Sequence, residues 1–247
     1  MDIPLTTSID PAEVAKFSRL AEEWWDPNGK FRPLHVFNPV RIGFVRDVGL
    51  EHFGREPRGL RPFEGLTLLD IGCGGGLLAE PMARQGFTVL GADASERNVA
   101  IAARHAEVSG LPIAYRAVTA EQLAAERAQF DVVLNMEVVE HVADVAGYLR
   151  DSAALVAPGG LMFVATINQT LKSLALAKIG AEYILRWVPA GTHDWNRFLS
   201  PEDLEKFVTA AGLSVVRRQG IVFDPIGWNW RLSSDMDVNY VLVAQRQ

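Results

Sequence analysis

The sequence predicts an α/β protein, in which helices cover both faces of a mostly parallel sheet of seven strands. From Leu66 onward, short apolar runs typical of strands buried on both faces alternate with helix-like stretches. A glycine-rich turn joins the first of these runs to the helix-like stretch Leu77–Gln85, which is typical of a strand–turn–helix unit. These two observations indicate the fold class.

The composition sets limits on the function. A chain of 247 residues, 49% of them hydrophobic and 22% charged, is long enough for one large domain with a substantial core. A formal net charge of −6 offers no basic surface to phosphates and argues against a nucleic-acid partner, whereas a small or lipid-like substrate fits better. With one cysteine, no signal-like start and no 18-residue uncharged apolar stretch, we expect a cytoplasmic protein without a membrane span.

The region before residue 66 predicts an accessory helical cap and linker. Residues 10–13 read Asp-Pro-Ala-Glu, which is typical of a capped helix start. A less regular segment, Asp26–Pro39, precedes a second predicted helix, Val40–Val48, and the proline- and glycine-rich stretch Gly54–Gly65 completes the linker. We therefore divide the chain into 1–65 and a main domain, 66–247.

Within the main domain, the periodicity predicts the seven strands and one interruption. The strands are Leu66–Ile71, Thr88–Ala92, Ile113–Ala117, Phe130–Asn135, Gly160–Ile167, Ser214–Gln219 and Val238–Ala244. Residues 169–199 break the alternation and predict an inserted helical lid, after which Ser200–Asp203 begins a helix that runs to Ala211.

The turn that follows the first strand carries the most specific motif. Its glycines allow the backbone to pass close to a ligand, and free N–H groups at a helix start suit a negatively polarised group. Leu77 stands where the dinucleotide fingerprint needs glycine, which disfavours a nicotinamide-dependent oxidoreductase. The pattern present is Asp70-x-Gly72-x-Gly74-x-Gly76, and it resembles motif I of the class I S-adenosylmethionine-dependent methyltransferases. A turn without a ligand would need only one or two of these glycines.

This resemblance implies a Rossmann-like fold with an antiparallel last strand, and it suggests where the cofactor binds. Asp93 ends the second strand, where it either accepts hydrogen bonds from the ribose hydroxyls or caps the next helix. The stretch Thr119–Leu123 falls where the family packs adenine, or it simply begins a helix. Met136 ends the fourth strand and contacts the cofactor or belongs to the core.

Two carboxylates and an imidazole follow Met136. Glu137, Glu140 and His141 are spaced so that a helical turn would bring them to one face at the cofactor crevice. Such a set could bind Mg²⁺, Mn²⁺ or Zn²⁺, and a metal there could acidify a catechol-like hydroxyl. His141 could instead act as a metal-free general base, or the three residues could only shape the pocket.

Beyond the cofactor fold, the chain resembles the ubiquinone-biosynthesis O-methyltransferases over nearly its full length. The segments that carry this resemblance are Trp24–Asp26, Phe31–His35, Asn38–Arg41, the glycine motif, Met136–Val142, Gly180–Arg186, Gly191–Asp194 and Asp237–Tyr240. The resemblance implies methylation of polyprenylated phenol or quinol substrates at two stages, a polyprenyl catechol and demethylubiquinol. It also implies S-adenosylmethionine and a divalent metal, with Mg²⁺ as the first choice.

The resemblance assigns roles to individual residues. It makes Arg41 a contact for the methionine carboxylate, which a guanidinium can pair bidentately. The other matching cofactor positions are Gly72, Asp93 and Met136, and the metal positions are Glu137, Glu140 and His141. His35 and His193 lie in matching segments that are expected at the substrate mouth.

Residues 171–188 are apolar with a few basic side chains, and they predict a lid over the site, a contact with the inner face of a membrane, or both. Association with other ubiquinone-biosynthesis enzymes is a further expectation. Two alternatives keep part of this prediction: a class I methyltransferase with another small-molecule acceptor, and a non-catalytic quinone- or lipid-binding assembly protein.

Overall fold

Eight strands form one sheet in the computed structural model, which describes residues 8–174, 195–227 and 229–247. In chain order the strands are β1 (Thr67–Ile71), β2 (Thr88–Asp93), β3 (Ala114–Ala117), β4 (Phe130–Met136), β5 (Val156–Ile167), β6 (Ser214–Asp224), β7 (Asn229–Ser233) and β8 (Asn239–Gln245). The order across the sheet is β3-β2-β1-β4-β5-β8-β6-β7. Strands β1 to β5 pair in parallel, and β8, β6 and β7 pair antiparallel.

Helices lie before the sheet, between its strands and near the end of the chain. They are α1 (Pro11–Arg19), α2 (Arg32–His52), α3 (Ala79–Arg84), α4 (Glu96–Val108), α5 (Ala120–Ala125), α6 (Val145–Ala154), α7 (Leu171–Ser173) and α8 (Pro201–Ala210). The predicted helix starts at Asp10 and Ser200 are confirmed, since each side chain accepts a hydrogen bond from a first-turn backbone N–H.

The predicted count of seven strands is wrong by one. The additional strand, β7, pairs antiparallel with an extended β6 as a hairpin at the edge of the sheet. An edge strand obtains its backbone hydrogen bonds without burying both faces, so β7 has no apolar run for a sequence pattern to detect. The predicted antiparallel last strand, β8, is confirmed.

The second predicted helix is much longer than Val40–Val48. Helix α2 begins at Arg32, includes Pro39 in its interior, and therefore covers much of the segment expected to be irregular. Proline cannot donate the backbone hydrogen bond of a helix interior, which is why the sequence pattern placed a boundary there. Burial of Phe37, Phe44 and Val48 against the sheet keeps the helix continuous.

Alternating residues of the strands enter two separate hydrophobic clusters. Leu68 of β1 packs on the side of α2 and α3, whereas its neighbour Leu69 packs with α5, α6 and α8. In β5, Phe163 and Val164 divide in the same way. The sheet is therefore covered on both faces, as predicted.

The segment between α1 and α2 packs onto the start of the main domain. Trp24 and Phe31 stack with ring centroids 3.7 Å apart, and they form a small buried cluster with Leu77. Within the residues described, no helix has the length and apolar character needed to cross a bilayer. The predictions for His193, Gly180–Arg186 and most of 171–188 lie outside the described residues.

Candidate active site

The glycine turn after β1 depends on left-handed backbone at several positions. Gly72, Gly74 and Gly76 have φ values of 68°, 53° and 87°, which L side chains rarely adopt. A Cβ on Gly74 would also lie 2.4 Å from Cζ2 of Trp24. The N-terminal segment therefore closes directly over the turn.

A cavity of about 700 Å³ opens at the carboxyl ends of β1, β2 and β4. This is where open parallel sheets bind ligands. The predicted site residues that line it are Arg41, Asp70, Gly72, Gly74, Asp93, Met136, Glu137 and His141. Gly76 faces away from it, against the Tyr115 hydroxyl, and the Glu140 side chain lies behind the cavity wall. Residues Thr119–Glu121 also reach the cavity.

Asp93 joins the glycine turn to the start of α4. Its Oδ2 accepts a hydrogen bond from the Gly74 N–H at 3.0 Å, and its Oδ1 accepts from the Ser95 N–H at 2.8 Å. The Asn98 amide donates to the same Oδ1 at 3.2 Å and accepts from Trp24 Nε1 at 3.1 Å. Burial raises the pKa of Asp93, and these hydrogen bonds act against that shift. The cap of α4 itself is Ser95.

Asp70 is a buried carboxyl on the cavity wall. Its Oδ2 has no hydrogen-bond partner among the residues the structure describes. Burial, with a smaller contribution from the charge of Asp93, raises the pKa of Asp70 to about 7.

Arg41 and Glu137 form an ion pair on the opposite wall. Arg41 Nη2 donates to Glu137 Oε1 at 2.5 Å, Nη1 donates to Asn38 Oδ1 at 3.3 Å, and the guanidinium lies 3.6 Å from the centroid of the Phe37 ring. Burial lowers the pKa of Arg41, and the carboxylates of Glu137 and Glu140 oppose that shift. Glu137 holds a left-handed φ of 60°, an uncommon and strained conformation for a glutamate.

Glu140 and His141 have different partners. Glu140 is buried and accepts a hydrogen bond from Thr166 Oγ1 at 2.9 Å. Burial, together with the charge of Glu137, raises the pKa of Glu140 to about 7. His141 Nδ1 lies 2.9 Å from Glu13 Oε2. Burial lowers the pKa of His141, but Glu13 and Glu140 together outweigh this effect and the net shift is upward.

The expected common face of Glu137, Glu140 and His141 is not formed. Only a short 3-10 turn, Val139–His141, follows β4, and Glu137 before it is left-handed, so the three side chains face Arg41, Thr166 and Glu13. Across the described ranges, no group of three or more His, Cys, Asp or Glu side chains could hold a metal ion. This arrangement does not fit the implied divalent metal.

The sequence did not reveal the contacts of several residues that organise the site. The sequence marks Glu13 only as part of a helix start and Asn38 only as part of a segment that carries the resemblance. Nothing marks Asn98, because its partner Trp24 lies far away in the sequence. His35, expected at the substrate mouth, does not line the cavity; its Nε2 lies 2.9 Å from the backbone carbonyl oxygen of Trp24.

Comparison with known proteins agrees with this geometry. A family model described as a methyltransferase domain matches residues 46–218. The ubiquinone biosynthesis O-methyltransferases of Sinorhizobium medicae (strain WSM419) and Caulobacter sp. (strain K31) are each 60% identical to the chain over 240 residues. Each alignment covers 97% of this chain. The alignments cover 97% of the Sinorhizobium protein and 95% of the Caulobacter protein.

Among solved structures, magnesium protoporphyrin IX methyltransferase from Synechocystis PCC 6803 with bound SAH superposes with a TM-score of 0.65 at 22% identity, covering 94% of this chain and 95% of that one. This likeness shows the class I methyltransferase fold alone. With 60% identity to a curated relative over 97% of its length, the chain belongs to the ubiquinone biosynthesis O-methyltransferase family.

Proposed function

We propose that this protein transfers a methyl group from S-adenosylmethionine to phenolic hydroxyls of polyprenylated catechol-type ubiquinone precursors. The two acceptors are 2-polyprenyl-6-hydroxyphenol and 3-demethylubiquinol. The observation that carries the proposal is the 60% identity to a ubiquinone biosynthesis O-methyltransferase, combined with a cavity that places His141 beside the glycine turn.

The charges around the cavity complement the cofactor. We assign Arg41 to the methionine carboxylate, Asp70 to the amino group and Asp93 to the ribose hydroxyls. In each pair, the protein side chain and the cofactor group have complementary charges or hydrogen-bonding roles. Gly72 and Gly74 keep the turn free of side chains where the cofactor approaches. Gly76 belongs to the same turn but does not line the cavity. We assign Met136 and the segment Thr119–Leu123 to contacts with the adenine and the methionine chain.

The acceptor must lose a proton to become a good nucleophile, since a phenol has a pKa of about 10. S-adenosylmethionine, when bound, supplies an electrophilic methyl group on a sulfonium sulfur. We assign the base to His141, which lines the cavity and takes the phenolic proton at Nε2. The phenolic oxygen then forms the new bond to carbon, and the electron pair of the broken carbon–sulfur bond stays on sulfur.

Three further features implied by the resemblance carry no step of the proposed mechanism and stay predictions. A divalent metal on Glu137, Glu140 and His141 does not fit the observed side chains, so no step here uses one. Contact of residues 171–188 with the inner face of a membrane would bring the enzyme to a polyprenyl substrate; Leu171, at the start of this segment, is 79% exposed. Association with other enzymes of ubiquinone biosynthesis is the third.

The test is methyl transfer from labelled S-adenosylmethionine to a short-chain demethylubiquinol, run with Mg²⁺ and in parallel with a chelator. We expect methylated product in the tube with Mg²⁺. Product in both tubes would assign the base to His141, whereas product that the chelator abolishes would require Glu137 to leave Arg41 for a metal. Binding of both ligands with no product in either tube would favour a non-catalytic assembly protein, and a product formed only from other acceptors would redirect the substrate assignment.

A further inference from the structure

We infer that Asn98 is a positioning residue for the ribose of S-adenosylmethionine: its side-chain amide holds Asp93 at one end and Trp24 at the other. One side chain therefore sets both the carboxylate assigned to the ribose and the ring that covers the glycine turn. The inference rests on the proposed function, because it needs S-adenosylmethionine as the ligand of Asp93. Neither the sequence motifs nor the comparisons give Asn98 a role.

Asn98 is a buried amide in the first turn of α4. It is 2% exposed and lines the cavity that contains the glycine turn. Its Nδ2 donates to Asp93 Oδ1 at 3.2 Å, and its Oδ1 accepts from Trp24 Nε1 at 3.1 Å. Its backbone N–H donates to the capping hydroxyl of Ser95 at 3.2 Å. The helix start thus fixes the backbone, and the two partners fix the side chain.

The chemistry of the partners determines which way the amide points. The Trp24 indole N–H can only donate, so it must meet the amide oxygen. The Asp93 carboxylate already accepts from the N–H groups of Gly74 and Ser95, and as an acceptor it must meet the amide nitrogen. A flipped amide would place two donors together at one end and two acceptors at the other. Asn98 therefore connects Trp24 to Asp93 in one orientation.

The contact with Asn98 also decides which oxygen of Asp93 remains for the ligand. Oδ1 accepts from the Ser95 N–H and from the Asn98 amide, whereas among the residues described Oδ2 accepts from the Gly74 N–H alone. A carboxylate oxygen accepts about two hydrogen bonds. Oδ1 is therefore filled, and the open acceptor position lies on Oδ2, beside the turn that the cofactor approaches.

The other end of the amide holds the ring that covers this turn. A Cβ on Gly75 would lie 2.4 Å from Cβ of Trp24, as close as the contact at Gly74. The hydrogen bond from Trp24 Nε1 ties this packing to α4 and, through Asn98, to Asp93. The seating of the N-terminal segment and the orientation of the ribose carboxylate therefore depend on each other.

The experiment is calorimetric titration with S-adenosylhomocysteine and with its 2′,3′-dideoxy analogue. In the parent, we expect the analogue to have a Kd at least about tenfold higher, because hydrogen bonds to a charged acceptor are lost. Asn98→Ala should raise the Kd of S-adenosylhomocysteine about tenfold and that of the analogue by less than about threefold, since the carboxylate is no longer held. A residue that only stabilised the helix would raise both Kd values equally, and that result would overturn the inference.

Trp24→Phe tests the same connection without a change in α4, so it also serves if Asn98→Ala does not fold. It keeps an aromatic ring and removes the N–H that binds Asn98. We expect a smaller loss of discrimination between the two ligands, and no further loss in an Asn98→Ala background, because Trp24 acts through the amide. Discrimination equal to that of the parent would overturn the inference, as would additive losses in the double variant.

Arg97→Ala is the matched control on the same turn of α4. Arg97 Nη2 lies 3.3 Å from Glu22 Oε1, so it joins the same two segments, but the pair is exposed and Arg97 does not line the cavity. Both Kd values should stay within about twofold of the parent. A loss of discrimination equal to that of Asn98→Ala would mean that any link between the segments suffices, and it would overturn the inference.

The titrations need no acceptor, so they separate the inference from the proposed function. A parent that shows the expected discrimination, and loses it in Asn98→Ala, but methylates no acceptor would mean that the proposed function fails and the positioning role stands. Methylation of demethylubiquinol by a parent that binds both ligands equally would overturn the inference and leave the proposed function standing.

Discussion

Arg41 and Glu137 are 96 positions apart in the sequence, and they meet as an ion pair at 2.5 Å between Nη2 and Oε1. The arginine side chain is 2% exposed and the glutamate 21%. This pair ties α2 to the end of β4 and holds a guanidinium at the cavity wall, where the methionine carboxylate is proposed to bind. It also explains why Glu137 is not available to a metal in this arrangement.

Removing the arginine should lower the stability of the protein. Arg41→Met leaves a partly buried carboxylate without its partner, and we expect the free energy of unfolding to fall by about 3 kcal/mol. Urea unfolding measures this change. Arg46→Met is the control on the same helix, since Arg46 pairs with the exposed Asp47, and it should cost less than about 1 kcal/mol. Equal effects of the two variants would contradict a special role for the buried pair.

Asp93 should determine cofactor affinity more than an aspartate elsewhere in the sheet. We expect Asp93→Ala to raise the Kd for S-adenosylmethionine at least about tenfold, because hydrogen bonds to a charged acceptor are lost. Isothermal titration measures this. Asp131→Ala is the control: Asp131 Oδ2 accepts hydrogen bonds from the Thr67 N–H and hydroxyl, both at 2.8 Å, away from the cavity, so its loss should lower stability and leave the Kd unchanged.

Asp70 should make the protein less stable as the pH rises. Its pKa is raised to about 7 by burial, so the folded state retains a proton that the unfolded chain releases from about pH 4 upward. The stability that this proton supports is complete below that pH and is lost as the pH rises through 7.

Asp70→Asn removes this titration. Between pH 4 and pH 8, its free energy of unfolding should therefore rise relative to the parent by on the order of 3 kcal/mol. A difference between Asp70→Asn and the parent that stays constant with pH would exclude this assignment.

The contact between Gly74 and Trp24 can be separated from backbone strain by a pair of variants. Gly74 and Gly110 both have left-handed φ values, 53° and 65°, but only at Gly74 would a Cβ meet other atoms, those of the Trp24 ring. Both alanine variants should lose about 1 kcal/mol through backbone strain. Gly74→Ala should lose about 1–3 kcal/mol more through overpacking and should also bind S-adenosylmethionine more weakly, because Trp24 must move away from the turn. Unfolding and titration of the two variants test this, and equal losses would argue against the ring contact.

Local pattern was enough to predict the parallel part of the fold. Apolar runs of strand length, separated by helix-like stretches, determine strands β1, β4 and β5, because both faces of a central parallel strand must be buried. The glycine turn could be recognised for the same reason, since its conformation depends on residues that are adjacent in the chain. Strand β7, at the sheet edge, and the part of helix α2 from Arg32 to Pro39 could not be predicted, because pairing and packing with distant segments stabilise them.

By itself, the sequence determined the family, the cofactor turn and the strand ends at which charged side chains gather. Only the tertiary structure decided what those side chains contact. The spacing of Glu137 and His141 was compatible with one shared face, yet Arg41 of α2 binds the first and Glu13 of α1 binds the second. Spacing along a chain sets the direction of a side chain only within a regular element, whereas its partner depends on which distant segment packs against that element.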